Sequence, residues 1–201
     1  MDLMYFESPP GLQFLHCIQN TVTGGSSIFV DSFRAATLLR LNSPVLFRTL
    51  TKFPVSYHYR SDGHHYHLMR PTIVLDEYSY LDEKRISSVN WAPPFQAPFE
   101  FDTGAGADSQ FRAYITAAKE FAKNVGDSGA QYELRLEEGV CAVFSNRRVL
   151  HSRTAFDAES GDRWLKGAYV EIDAFHSKYR TLSQRFRDEK NKVDEEYAYI
   201  R

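Results

Sequence analysis

The chain has 201 residues, of which 43% are hydrophobic and 25% charged, and its formal net charge is -2. This composition is ordinary for a single globular domain with a buried core. The near-neutral charge gives no reason to expect nucleic acid or a membrane surface as a partner. No apolar run reaches the roughly 18–20 residues that cross a bilayer, and the first residues resemble neither a signal peptide nor a transit peptide.

The first half of the chain predicts strands followed by helices. Gly24-Gly25 marks a turn between two strands, Asp31 is a suitable amino-terminal helix cap, and Ser43-Pro44 opens another helix. In chain order, the predicted elements of this half are strands at 11–22 and 26–31, helices at 32–41 and 45–53, and a strand-rich stretch at 55–89 with turns at 61–63 and 82–83.

The second half begins with a loop at 92–109 that is rich in proline and glycine. Residues 110–126 then carry apolar side chains at the spacing of an amphipathic helix. The remaining predicted elements are strands at 131–137, 140–146, 147–151 and 163–173, and a last helix that runs from about Ala174 into a charged tail. Together the elements predict a mostly antiparallel β domain with three or four helices, built as a closed or sandwich-like double sheet.

Two cysteines, Cys17 and Cys141, are too few for a disulfide framework and form no CxxC zinc motif. We predict that both are buried thiols in a reducing compartment, which is the cytoplasm or the mitochondrion.

The strand predicted over 163–173 has two unlike faces. Alternation places on one face Arg163, Leu165, Gly167, Tyr169, Glu171 and Asp173. The opposite face, which we expect to be packed, holds Trp164, Ala168, Val170 and Ile172. The guanidinium and the tyrosine ring lie about 20 Å apart at roughly 3.3 Å per residue, with a glycine between them. This arrangement suits an elongated ligand whose anionic end pairs with the arginine in a bidentate manner.

His151 ends one predicted strand and Arg163 begins the next, and two interpretations fit this pair. In the first, His151 is a core histidine whose ring nitrogens are hydrogen-bonded, and Arg163 is a surface arginine. In the second, His151 binds a metal ion and Arg163 binds an anion. A non-haem Fe(II) oxygenase needs two imidazoles and one carboxylate on one face of the metal, with open positions opposite for an α-keto acid and oxygen.

Three segments resemble a known family. They are "DLMYFESPPGLQFLHCIQNTVTGGSSIFVD", "FSNRRVLHSRTAF" and "RWLKGAYVEID". They are similar to the catalytic domain of the γ-butyrobetaine dioxygenase and trimethyllysine dioxygenase group, within the taurine-dioxygenase-like (TauD/TfdA) Fe(II)/2-oxoglutarate oxygenases. The resemblance covers 1–182 and leaves a charged tail at 183–201. It implies a mainly β fold with flanking helices, the double-stranded β-helix or jelly roll.

The resemblance also implies roles for single residues. Asp2 matches the carboxylate of the family's His-x-Asp pair and His151 its distal histidine, so both are expected to bind Fe(II). Arg163 matches the arginine that binds the cosubstrate 2-oxoglutarate, and Ser27 falls where relatives place a hydroxyl near that cosubstrate. Tyr169 matches an aromatic residue that contacts a trimethylammonium group through a cation–π interaction. In the alternative, purely structural interpretation, the Tyr169 side chain fills the interior of the barrel.

One departure from the family is severe, because no residue stands two positions before Asp2 to supply the motif's histidine. We therefore expect an amino-terminally truncated domain whose two-ligand site makes it a poor enzyme or none. The parent activity implied is hydroxylation of a small trimethylammonium amino acid, with γ-butyrobetaine ahead of trimethyllysine or another substrate. The alternative is a catalytically inactive β-helix that binds a partner. Pairing of two copies of the chain in a homodimer is compatible with the sequence.

Other polar residues offer weaker candidates. His64, His65 and His67 could form a metal cluster, but they follow a Ser-Asp-Gly turn and favour a surface hairpin. Asn90 and Asn146 stand at strand ends and are expected to bind the backbone. For three further arginines we expect a position in solvent rather than a contact to an anionic substrate: Arg147, Arg148 and Arg153.

Overall fold

The computed structural model describes residues 1–78, 84–99 and 106–198, and the side chains of residues 190–198 are excepted. The turn predicted at 82–83 and part of the loop at 92–109 lie outside these residues. The strands are β1 (Leu12–Asn20), β2 (Thr23–Gly24), β3 (Ser27–Asp31), β4 (Pro54–Ser61), β5 (His64–Pro71), β6 (Ile73–Leu75), β7 (Ile86–Val89), β8 (Gln131–Leu134), β9 (Cys141–Ser145), β10 (Val149–Arg153), β11 (Phe156–Asp157) and β12 (Arg163–Val170). The helices are α1 (Ser32–Asn42), α2 (Pro44–Lys52), α3 (Ala107–Gly126) and α4 (Ile172–Ala198).

Two antiparallel sheets form the double layer that the sequence predicts. One has the order β12-β1-β9 and the other the order β10-β3-β8. Their inner faces touch where the Phe144 ring on β9 lies 5.3 Å from the Phe29 ring on β3 and 5.1 Å from the His151 ring on β10. The short strands β2 and β11 pair with each other and so connect the segment between β1 and β3 with the segment between β10 and β12.

Beside the double sheet, α1 and α2 pack on the hairpins β4–β5 and β6–β7, and α3 packs on α1 and α2. Buried apolar residues from the three helices and from β4, β6 and β7 form one core, including Leu39, Leu50, Ile73 and Phe121. The β4–β5 hairpin closes through Asp62-Gly63, where both residues have positive φ, as two-residue hairpin turns require. Within the described residues, no helix is long and apolar enough to cross a membrane.

Three expectations about packing and element ends are wrong. Strand β12 ends at Val170 and α4 begins at Ile172, so Glu171, Ile172 and Asp173 are not part of the strand. The face of Trp164 is not packed, since this side chain is 61% exposed. On the other face Arg163 and Leu165 are half-buried, while Tyr169 is exposed. Cys141 is exposed rather than buried, while Cys17 is buried as predicted.

Candidate active site

Asp2 and His151 lie side by side, although 149 positions separate them in the sequence. Asp2 Oδ1 is 3.6 Å from His151 Nε2, and both side chains are largely buried. Asp2 Oδ2 accepts two hydrogen bonds, from Gln13 Nε2 at 2.6 Å and from the Tyr169 hydroxyl at 2.7 Å. These bonds fix the carboxylate so that its other oxygen is directed at the imidazole.

His151 is held on the inner face of β10, opposite Phe29 of β3. Burial lowers the pKa of His151 below its ordinary value, and the nearby Asp2 carboxylate opposes this shift only in part. The imidazole is therefore neutral at physiological pH, which is the form that binds a metal ion. Its Nδ1 atom is buried without a hydrogen-bond partner among the described residues.

Arg163 begins β12 and packs against the turn after β2. A side chain at Gly25 (φ +73°) would place its Cβ 3.3 Å from Arg163 Nε, so this turn needs glycine both for its backbone and for the space. The guanidinium carbon lies 5.7 Å from the Phe156 ring centre. Burial, followed by the positive charge of Arg153, lowers the pKa of Arg163.

The Nε of Arg163 is buried and has no hydrogen-bond partner among the described residues. No carboxylate in that part of the chain forms a salt bridge with the guanidinium either. A buried donor without a partner destabilises the fold unless a ligand satisfies it. This arrangement fits a bound anion such as a carboxylate.

Ser27 is buried at the start of β3, two residues after Gly25. It lies on the same face of β3 as Phe29, and hence on the inner side of the double sheet. The structure thus places all five predicted site residues on or beside this inner side.

A cavity of about 370 Å³ opens next to the pair formed by Asp2 and His151. It follows the face of β3 and β10 opposite to the one that carries Phe29, and its lining includes Ile28, Leu150, Trp91 and Phe95. Its walls are mostly apolar, so it suits the hydrocarbon part of a small ligand.

The donor atoms fit two of the three positions of an iron-binding triad. A metal ion with bonds of about 2.0–2.2 Å to nitrogen and oxygen can contact both Asp2 Oδ1 and His151 Nε2. A neutral imidazole and a carboxylate are ligands of non-haem Fe(II). In the described ranges no group of three His, Cys, Asp or Glu side chains is placed to hold a metal.

The weaker candidates lie elsewhere. His64, His65 and His67 are exposed on the β4–β5 hairpin, as expected, and His67 Nε2 is 3.0 Å from Ser56 Oγ. Asn90 is fully buried and donates to the Pro71 carbonyl, which confirms a bond to the backbone.

For the three further arginines, the expectation of a solvent position is wrong for Arg147 alone. Arg147 is largely buried, donates to Ser88 Oγ at 3.0 Å, and has its pKa lowered to about 10 by burial. Arg148 is exposed and paired with Asp31, and Arg153 is exposed.

Sequence reasoning missed Gln13, which joins Asp2 to the inner face of the sheet. A signal for it exists, because Gln13 is a polar residue at an inward position of the apolar run "LQFLHC". A buried amide at such a position needs a polar partner.

Comparison with known proteins identifies the family. The family model for the taurine catabolism dioxygenase TauD, TfdA family matches residues 1–169. This chain belongs to the TauD/TfdA family. It is 42% identical over 190 residues to dioxygenase str8 of Strobilurus tenacellus, covering 90% of this chain and 42% of that protein. It is 37% identical over 183 residues to the γ-butyrobetaine dioxygenase of Pseudomonas sp. AK-1, covering 91% of this chain and 45% of that protein.

The solved structures agree with the fold of this TauD/TfdA family member. An asparagine oxygenase in complex with Fe(II), 3-hydroxyasparagine and succinate superimposes with a TM-score of 0.60 at 18% identity, over 84% of this chain and 47% of the other. This likeness confirms the predicted jelly roll with flanking helices. The chain spans less than half the length of these relatives.

Proposed function

We propose that this chain forms the catalytic core of an Fe(II)- and 2-oxoglutarate-dependent dioxygenase that hydroxylates a small trimethylammonium amino acid, with γ-butyrobetaine as the first candidate. The observation that carries the proposal is the pairing of Asp2 and His151 at 3.6 Å, together with a half-buried Arg163 whose Nε is buried without a hydrogen-bond partner among the described residues. The family match supports the reaction class.

Asp2 and His151 would hold the iron, and the bound iron with 2-oxoglutarate supplies the activation of oxygen. The protein's own residues bind and orient the reactants. Gln13 and Tyr169 occupy Asp2 Oδ2, which leaves Oδ1 for the metal. Burial keeps His151 neutral, so that a proton does not compete with the metal for Nε2.

Arg163 would bind the distal carboxylate of 2-oxoglutarate through two parallel hydrogen bonds, and the inward Ser27 hydroxyl would lie near the same cosubstrate. The largely apolar wall next to Asp2 and His151 limits water near the reacting carbon. The roles of Arg163 and Ser27 use the inner side of the double sheet, whereas the apolar wall lies on the opposite face of β3 and β10.

The choice of substrate rests on two supports. The Pseudomonas relative is named a γ-butyrobetaine dioxygenase. Tyr169 is 40% exposed beside Asp2, where its ring can contact a quaternary ammonium group. The higher identity to dioxygenase str8 favours a test with other small substrates as well.

The second candidate is an inactive β-helix that binds a partner. It is favoured by the presence of only two metal-binding side chains at this place among the described residues. The two functions differ in whether the chain binds Fe(II) and 2-oxoglutarate together.

The deciding experiment is an anaerobic titration of Fe(II) and 2-oxoglutarate, followed by calorimetry and by the visible absorbance of the iron–keto-acid complex. We expect binding that is abolished by Asp2→Ala or His151→Ala. Arg163→Lys should weaken 2-oxoglutarate by about tenfold or more, because it loses the bidentate fork. The matched control is Arg112→Lys on the exposed surface of α3. Equal affinities in wild type and Asp2→Ala, or an unchanged affinity for 2-oxoglutarate in Arg163→Lys, would contradict the assignment.

A further inference from the structure

Asn146 lies in the turn between β9 and β10 and is fully buried. Its side-chain amide forms a reciprocal pair with the peptide groups of Asp2. The Asp2 N–H donates to Asn146 Oδ1 at 2.9 Å, and Asn146 Nδ2 donates to the Asp2 carbonyl at 3.0 Å. The second hydrogen of Nδ2 is directed at the Pro10 carbonyl at 3.1 Å.

This pattern repeats the pairing of two antiparallel strands, with a side chain in place of one strand. It fixes the direction of the Asp2 main chain, whereas the bonds from Gln13 and Tyr169 to Asp2 reach its carboxylate, and Gln13 Nε2 also lies 3.5 Å from His151 Nε2. The Asn146 main chain donates to the Gly11 carbonyl at 2.9 Å, so the turn itself is attached to the segment that follows Asp2.

The turn also leads directly to His151, which is five residues further along on β10. A single rigid connection therefore contacts the main chain of one proposed metal-binding residue and carries the other. Within this arrangement Asp2 Oδ1 lies 3.6 Å from His151 Nε2.

We propose that Asn146 is a positioning residue that sets the distance and angle between Asp2 and His151 for metal binding. The inference rests on the proposed function, because it takes these two residues as metal ligands. It adds a residue that does not contact the metal and acts only through Asp2.

The rest of the Asp2 segment has anchors of its own. Arg147 donates to Met4 Sδ at 3.3 Å, and Arg70 donates to the carbonyls of Phe6 and Glu7. Removal of the Asn146 amide should therefore release the Asp2 peptide while the following residues stay in place. The expected defect is a misplaced ligand within a folded protein.

The test compares wild type with Asn146→Ala, Asp2→Ala and two controls. Asn124→Ala removes a different, half-buried amide, whose Nδ2 donates to the Ala35 carbonyl at 3.2 Å. Leu39→Ala destabilises the core away from the site. For each protein, the affinity for Co(II) with 2-oxoglutarate is measured by calorimetry, the Co(II) ligand-field spectrum is recorded, and the melting temperature of the metal-free form is determined.

We expect Asn146→Ala to bind Co(II) about 10–100-fold more weakly than wild type, as is found when an outer partner of a metal ligand is removed. Its Co(II) spectrum should change, because the geometry of the ligands changes. Asn124→Ala should keep the wild-type affinity and spectrum, and Leu39→Ala should keep both despite its lower melting temperature.

Two outcomes would overturn the positioning role alone. One is a wild-type affinity and spectrum in Asn146→Ala while Asp2→Ala loses binding, which leaves the proposed function standing. The other is an equal loss in Leu39→Ala, which would mean that general stability decides the affinity. If wild type and Asp2→Ala bind Co(II) equally, the proposed metal site itself fails and the inference fails with it.

Discussion

Both hydrogen bonds to the Asp2 side chain reach the same oxygen, Oδ2, and one of them comes from Tyr169. Tyr169 therefore orients this carboxylate, in addition to its proposed contact with the substrate. The Tyr169 hydroxyl donates to Asp2 Oδ2 at 2.7 Å, while part of its ring stays exposed. Burial, with a further contribution from this hydrogen bond, raises the pKa of Tyr169. The hydroxyl therefore keeps its proton and remains a donor to the carboxylate at physiological pH.

Two substitutions at Tyr169 separate the hydroxyl from the ring. Tyr169→Phe removes a hydrogen bond to a charged group, which contributes about 1.5–3 kcal/mol, so we expect weaker metal binding with no change in preference for a quaternary ammonium substrate. Tyr169→Leu also removes the ring face and should cost a further ~0.5–2 kcal/mol with such a substrate. Steady-state kinetics with γ-butyrobetaine and with an uncharged isostere measure both effects. Equal losses of Tyr169→Leu on the two substrates would show that the ring only packs.

The single residues differ in how far the sequence could reveal them. Asp2, His151 and Arg163 are named by a resemblance of short segments, and the structure brings the first two together. The bonds made by Asn146 were not predictable in detail, because they join residues 144 positions apart and depend on tertiary packing. The expectation that it binds the backbone is confirmed, but a propensity cannot identify which peptide it binds.

At the scale of elements, Asp31 connects three parts of the fold. It ends β3 and caps α1, where its Oδ1 accepts from the Phe33 N–H at 3.0 Å. It also pairs with Arg148 of the turn before β10, through Nε at 3.0 Å and a terminal nitrogen at 2.7 Å. The hydrogen bond from Arg148 is the main reason why the pKa of Asp31 is lowered.

Substitutions at Asp31 should show this coupling through pH. A carboxyl whose pKa is lower in the folded state stabilises the protein above its unfolded pKa of about 3.9, and the contribution disappears as pH falls through the folded pKa. At pH 7 we expect Asp31→Asn to cost about 0.2–1 kcal/mol for a partly exposed pair. Asp31→Ala should cost about 0.5–2 kcal/mol more, since the cap is lost as well.

Urea denaturation between pH 7 and pH 3.5 measures these differences. The difference in free energy of unfolding between wild type and Asp31→Asn should narrow below about pH 4. The difference between Asp31→Asn and Asp31→Ala should persist, because the amide cap does not titrate. Asp108→Asn, which breaks an exposed pair with Arg112 on α3, is the matched control. A pH-independent difference in free energy of unfolding between wild type and Asp31→Asn would show that the ion pair does not contribute to stability.

Element ends were harder to predict than element types. The run "EID" at 171–173 alternates like a strand, yet α4 starts at Ile172. An acidic residue in the first turn, here Asp173, also suits the start of a helix, so local pattern does not decide. The tertiary contact at this point is also invisible in the local sequence: Gly11 lies so close to Ile172 that a Cβ on it would be 2.4 Å from Ile172 Cβ.

At the scale of the whole molecule, a bound metal ion and 2-oxoglutarate would connect residues from distant segments of the chain and from both sheets. Asp2 comes from the first residues, His151 from β10 in one sheet, and Arg163 from β12 in the other. A metal ion that contacts the first two and a keto acid that also reaches Arg163 would bridge both sheets. Such a bridge exists only in the folded state, and it therefore stabilises that state by mass action.

Thermal unfolding tests this bridge directly. A ligand at about 100 times its Kd adds about 2.7 kcal/mol, and each kcal/mol raises the melting temperature of a domain of this size by about 2–4 °C. We expect Mn(II) and 2-oxoglutarate together to raise it by more than the sum of their separate effects, because the keto acid binds the metal and the arginine at once. His151→Ala and Arg163→Ala should each abolish the excess, while His64→Ala on the exposed hairpin should retain it. If the two ligands act independently in wild type, the metal and the anion occupy separate sites, and the chain does not assemble the site of an oxygenase.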